Sequence, residues 1–285
     1  MAAAALAAAL TAGAAQAASC SPSRIAGSAT ALQDSRFALS QLPPHDGTAT
    51  AIPLETGNAI ADIKTRLAAF ITAYMSCQRT NADPDGIQID LSRLGWARAP
   101  DAAPPSSSGA GPFKPDPTLT FEARPVASRM LGIVARFGVP CGSDALLMLF
   151  SASEDTWAET MRVGAVPYGD LSHGHEAFDY AVSPPDDAGH WFLVEKHLPV
   201  TCLPFNAAIA YSVLRAGPVA ARPRLLFSGH DAMFSGDGDT GRVSAESDGF
   251  EVRFHDHGDA ADIREIVRRY SVAGNTVRPI DPDDP

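Results

Sequence analysis

His173 and His175 stand one residue apart in DLSHGHEAFDY, and Asp179 follows the second by four. Alternate residues of an extended strand share a face, so two imidazoles in this pattern can point at one ion while the aspartate adds an oxygen. His255 and His257 repeat the spacing. Such donors suit zinc, iron or manganese, and a hydrolase or metal-dependent enzyme on a β scaffold would draw on His173, His175 and Asp179. The surrounding residues argue the other way. Gly174 separates the pair, Tyr168-Gly169-Asp170 precedes it, His190 sits beside Gly189 in a turn, and FHDHGD closes a strand. The expectation is loop histidines exposed to solvent, with no metal and no cofactor.

Other chemical signals are thinner. Ser235, Asp237, Asp239 and Glu246 fall at calcium-loop positions, yet Thr240 occupies the place that needs glycine and Arg242 the place of an apolar residue. An acidic hairpin tip is the expectation there. Gly-x-Ser-x-Gly does not occur, Ser106 to Ser108 lie in a Pro- and Ser-rich stretch, and the acidic GDGDTG would repel phosphate. Trp157, Tyr168, Phe178, Tyr180, Trp191 and Phe192 cluster along the chain. A glycan groove would use Trp157, Tyr168, Tyr180 and Trp191, although alternating aromatics in strands more often fill a core.

Composition narrows the setting. Acidic residues outnumber basic ones for a net charge of −11, without a basic stripe, which excludes a nucleic-acid surface. The start, MAAAALAAALTAGAAQAASC, is apolar and ends in Ala15-Gln16-Ala17, a small-x-small cleavage site; residues 1–17 read as a signal peptide although no basic residue precedes Arg24. No later stretch is apolar enough for a transmembrane helix. Cys20, Cys77, Cys141 and Cys202 then form two disulfides in an oxidising compartment, with neighbourhood in the chain favouring Cys20–Cys77 and Cys141–Cys202 among three pairings.

These residues must be held by some scaffold. Ile60, Ile63, Leu67, Phe70, Ile71, Tyr74 and Met75 recur at helical steps and predict a helix from Asn58 to Gln78 with Asn58 as its cap. Ile87 to Leu91 reads as a short strand. Pro100 to Pro117 reads as a linker between an N-terminal segment, 18–99, and a domain spanning 118–285. Beyond Thr118 about ten short runs of period two alternate with turn residues, and Gly274-Asn275 marks a hairpin. The fold expected is mainly β, an antiparallel β-sandwich or barrel-like C-terminal domain behind a helical segment. The expected function is a binding or interaction role in the periplasm or outside the cell, for an envelope protein or glycan partner.

Overall fold

The structure is a computed structural model that describes residues 20–43, 51–95, 118–127, 129–164, 170, 174–200, 208–233, 240–257 and 263–280. The leader, the Pro100–Pro117 stretch, His173, Tyr168, Cys202, Ser235, Asp237 and Asp239 lie outside them. Three helices, α1 (Pro22–Ser40), α2 (Leu54–Met75) and α3 (Pro84–Gly95), precede twelve strands. The fold is mainly β, and its strands form three four-stranded antiparallel sheets in which every strand pairs with its neighbour in sequence. The first holds β1 (Leu119–Ala127), β2 (Met130–Val139), β3 (Gly142–Ser153) and β4 (Thr156–Val163). The second holds β5 (His175–Val182), β6 (Leu193–Pro199), β7 (Ala208–Arg215) and β8 (Arg224–Ala232). The third holds β9 (Arg242–Ala245), β10 (Gly249–His257), β11 (Ile263–Ala273) and β12 (Thr276–Pro279).

The layers stack because two of the sheets are apolar on both faces. In β3, Leu146, Met148 and Phe150 join Ile63, Leu67 and Phe70 of α2 in one core. Their neighbours Ala145, Leu147 and Leu149 join Phe178 and Leu193 of the second sheet in another. That is why the run ALLMLF shows no polar alternation. In β6, Leu193 faces the first sheet, whereas Val194, together with Phe192 just ahead of the strand, packs with Phe250, Val252 and Tyr270 of the third. The helical segment therefore shares its core with the first sheet.

Three local readings of the sequence need correction. Helix α2 begins at Leu54 behind Pro53, four residues before Asn58, and ends at Met75. Ile87 to Leu91 is the middle of α3, not a strand. Ile87 and Leu91, four apart, are buried while Ile89 between them is 64% exposed, the signature of helical rather than strand periodicity. Asp83 accepts a hydrogen bond from the Gly86 N–H at 3.3 Å ahead of Pro84, a helix start that the alternating isoleucines disguised. Helix α1 was not expected, because its residues are mostly small or polar and bury only a thin stripe of Ala29, Leu32, Arg36 and Leu39. Its start was nevertheless written in Ser21-Pro22, where the serine side chain accepts from Arg24 N.

The Cys20–Cys77 disulfide ties the start of α1 to the end of α2 across 57 residues. Closing such a loop restricts the unfolded chain by about 4 kcal/mol in the chain-entropy description. Cys141 is also disulfide-bonded. Gly274 adopts a φ of 57° in the turn between β11 and β12, the hairpin read from Gly274-Asn275.

Candidate metal centre

His175 opens β5 and is only 8% exposed, so it is not the solvent-facing loop histidine expected. Its pairing with Pro199 puts it on the sheet face of His197 and Glu195, and a β-bulge then changes the face of the residues that follow it. Glu176 pairs with Leu198 and Asp179 with Lys196, leaving two residues, Ala177 and Phe178, opposite His197 alone. Ala177 takes a φ of 45°, a left-handed conformation unfavourable for a residue with a Cβ. The buried Lys196 holds the distortion, its ammonium donating to the carbonyls of Ala177 at 2.7 Å and Thr240 at 2.6 Å. With the extra residue inserted, His175 and Phe178 meet edge to face at 5.9 Å between ring centres.

Strand β6 supplies the partners. Glu195 and His197 follow Leu193 at steps of two and so share its face toward the first sheet. His197 Nδ1 lies 3.1 Å from a Glu195 oxygen, and the His175 and His197 rings are 4.3 Å apart. Donor atoms of His175, Glu195 and His197 all fall within 4.8 Å of one another. A tetrahedral zinc ion with bonds of about 2.0–2.1 Å separates its ligands by roughly 3.3 Å. The Glu195–His197 edge already has that length, and the wider edges need to contract.

Behind His175 stands a buried ion pair. Asp144, at the head of β3, accepts from the backbone N–H of Ala145 at 2.7 Å and of His175 at 3.0 Å, and the same oxygen lies 3.3 Å from His175 Nδ1. Its other oxygen meets Lys64 of α2 at 2.6 Å, with the two side chains 0% and 2% exposed. Burial would raise the Asp144 pKa, but the Lys64 charge and the contact with His175 outweigh it and hold the carboxyl below its usual range. Glu195 behaves likewise: burial pushes it up, and His197, His175 and a hydrogen bond with Ser212 bring it down. For His175 burial dominates and lowers the pKa, against the pull of Asp144, so the imidazole is neutral and fit to ligate at neutral pH.

Of the residues singled out from the sequence, His175 enters this group. Asp179 does not; it accepts from Arg124 at 3.1 Å and from the Tyr180 N–H at 2.8 Å. His190 is exposed in its turn beside Asp186. The aromatics are not brought into one row. Trp157 packs on the core under the helices and donates to the Arg79 carbonyl at 3.0 Å, whereas Tyr180 and Trp191 belong to the core between the first two sheets. Arg242 lies in β9, which the calcium-loop comparison did not anticipate.

Lys64, Asp144, Glu195 and His197 were missed, although each left a trace. Lys64 lies on the apolar stripe of α2, four residues after Ile60 and three before Leu67. Asp144 heads an otherwise apolar strand. Glu195-x-His197 is the same alternating pattern as His173-x-His175, in a segment read simply as a strand. Comparison with known protein families, curated proteins and solved structures finds no match.

Proposed function

We propose that the chain is an exported envelope protein whose binding role is to hold a divalent transition-metal ion of the zinc class through His175, Glu195 and His197. The observation that carries this reading is the convergence of two imidazoles and a buried carboxylate within 4.8 Å, on the face that His175 shares with the other two through its pairing with Pro199. Nitrogen and carboxylate donors in this number are those that zinc accepts, and three of them leave one position of a tetrahedral ion for water. A buried carboxylate also requires a counter-charge, which an ion at this place would supply. Export is supported by the alanine-rich leader with its Ala-Gln-Ala site and by the bonded state of Cys20, Cys77 and Cys141, since disulfides persist in oxidising compartments. No helix among the described residues is long and apolar enough to cross a membrane.

The test is elemental analysis of untagged protein recovered from the periplasmic fraction, after dialysis against zinc and removal of excess. One ion per chain is expected in the wild type, with loss in His175→Ala and Glu195→Gln, and an N-terminus at Ala18 by intact mass. Less than a tenth of an ion per chain, or retention in both variants, sinks the metal reading. A mature protein that still carries residues 1–17 sinks export.

A further inference from the structure

The Lys64–Asp144 pair has no role in the triad of donors, yet its two side chains are almost wholly buried, at 2% and 0% exposure. Such pairs are costly to desolvate, and a well-packed apolar pair of similar size is often as stable or more so. Stability alone is therefore a weak reason for its presence. Its geometry suggests another. One Asp144 oxygen faces both the backbone N–H of His175, at 3.0 Å, and the ring Nδ1, at 3.3 Å, while the second faces Lys64 at 2.6 Å. Strand, ring and helix are thereby joined at a single carboxylate.

Resting on the metal reading above, we propose that Asp144 is the positioning residue of this centre and Lys64 its anchor in the helical layer. An ionised carboxylate can only accept, so it selects the His175 tautomer that carries hydrogen on Nδ1 and leaves the Nε2 lone pair for the ion. The backbone contact fixes where the strand starts, and the ring contact fixes how the imidazole is turned. Lys64 keeps the carboxylate from rotating toward either group alone. Because Lys64 sits in α2, whose end the Cys20–Cys77 bridge secures, the docked helical layer becomes part of the metal site although it contributes no ligand. Partners of this kind behind a ligating histidine typically change metal affinity 10–100-fold when removed.

Two experiments separate this from a merely structural pair. In the wild-type chain labelled with nitrogen-15, the metal-free His175 ring should show hydrogen on Nδ1, and loading with cadmium-113 should produce a cadmium–nitrogen coupling at Nε2. Coupling at Nδ1, or a metal-free ring protonated on Nε2, overturns the inference while leaving the metal reading intact. The second is zinc affinity of the Lys64→Met/Asp144→Asn double variant, in which both charges leave together so that neither is stranded. Zinc binding weakened at least 10-fold, with the wild-type secondary structure retained, is expected. Wild-type affinity in the folded double variant overturns the proposal. Should that variant fail to fold, the wild-type spectra decide. A wild-type chain that takes up neither zinc nor cadmium removes the metal reading and this inference with it.

Discussion

Two charged regions of this molecule use the same chemistry in opposite surroundings. Between the helices and the second sheet, Lys64, Asp144, His175, His197 and Glu195 form one buried chain of contacts. On the outer face of the third sheet, Glu251 accepts from Arg253 at 2.7 Å and from Arg269 at 2.8 Å, and Arg253 and Arg242 face each other from adjacent strands. Contact lengths hardly differ: 2.6 Å for Lys64–Asp144 against 2.7 Å for Arg253–Glu251. Exposure does, at 2% and 0% for the first pair and 46% and 27% for the second. In the interior each charge needs a named partner, because water is not there to replace it. On the surface water can replace any of them, and two arginines can be neighbours at little cost. Burial, not distance, makes the inner chain capable of holding one arrangement.

The largest expected effect breaks the inner chain. Lys64→Met leaves Asp144 as an uncompensated buried charge and should destabilise the fold by about 3–5 kcal/mol, read from urea unfolding. Adding Asp144→Asn in the same chain should restore most of that loss. A cost under about 1 kcal/mol for Lys64→Met would put Asp144 in the surface class of pairs and erase the contrast between the regions.

A second, smaller effect sharpens the same contrast through packing. Gly132 in β2 faces the second sheet, and a Cβ there would lie 2.0 Å from the hydroxyl of Tyr180. That ring is buried, with the Arg124 guanidinium 4.1 Å from its centre, so it has little room to withdraw. Gly132→Ala should cost about 1–3 kcal/mol by overpacking, measured as a shift in the denaturant midpoint at unchanged slope. Because the clash falls between the same two sheets, it should also weaken zinc uptake. A neutral substitution would mean that the two sheets can slide apart, and that Asp144 of the first sheet is not held fixed against His175 of the second.

Much of the architecture was legible because it is periodic. Runs of period two placed the strands, as in Leu131, Ile133, Ala135, Phe137 and Val139 of β2, which all join the core under the helices, and the stripe from Ile60 to Met75 placed α2. Helix α3 was misread where a helical i, i+4 pair and a strand alternation coincide in Ile87, Ile89 and Leu91, and only the exposure of Ile89 separates them. The site was far less legible. His175 stood out, but its partners come from β6, β3 and α2, the farthest of them, Lys64, 111 positions away in the chain. Nothing local announces that those segments meet. Moreover, the bulge at Ala177 shifts the alternation on which a same-face argument for His175 and Asp179 depends, so the spacing that drew attention to Asp179 ceased to apply where the strand is irregular.

The smallest effect belongs to the outer face, and its direction with pH can be worked out. Hydrogen bonds from Arg269 and then Arg253 hold the Glu251 carboxyl below its usual pKa, against a weaker opposing effect of burial. A group whose pKa is depressed by folding stabilises the folded state above its unfolded value, near 4.3, and loses that contribution as pH falls through the lower folded value. Glu251→Gln should therefore cost at most about 1 kcal/mol at pH 7, and less at high salt because the pair is screened. Wild type and variant should converge in stability as the pH is lowered below 4.3. Unfolding curves at pH 7 and pH 3, each at low and high salt, measure this. A loss of several kcal/mol that salt does not diminish would show that the outer lattice is held as firmly as the inner chain, and burial would no longer be what divides them.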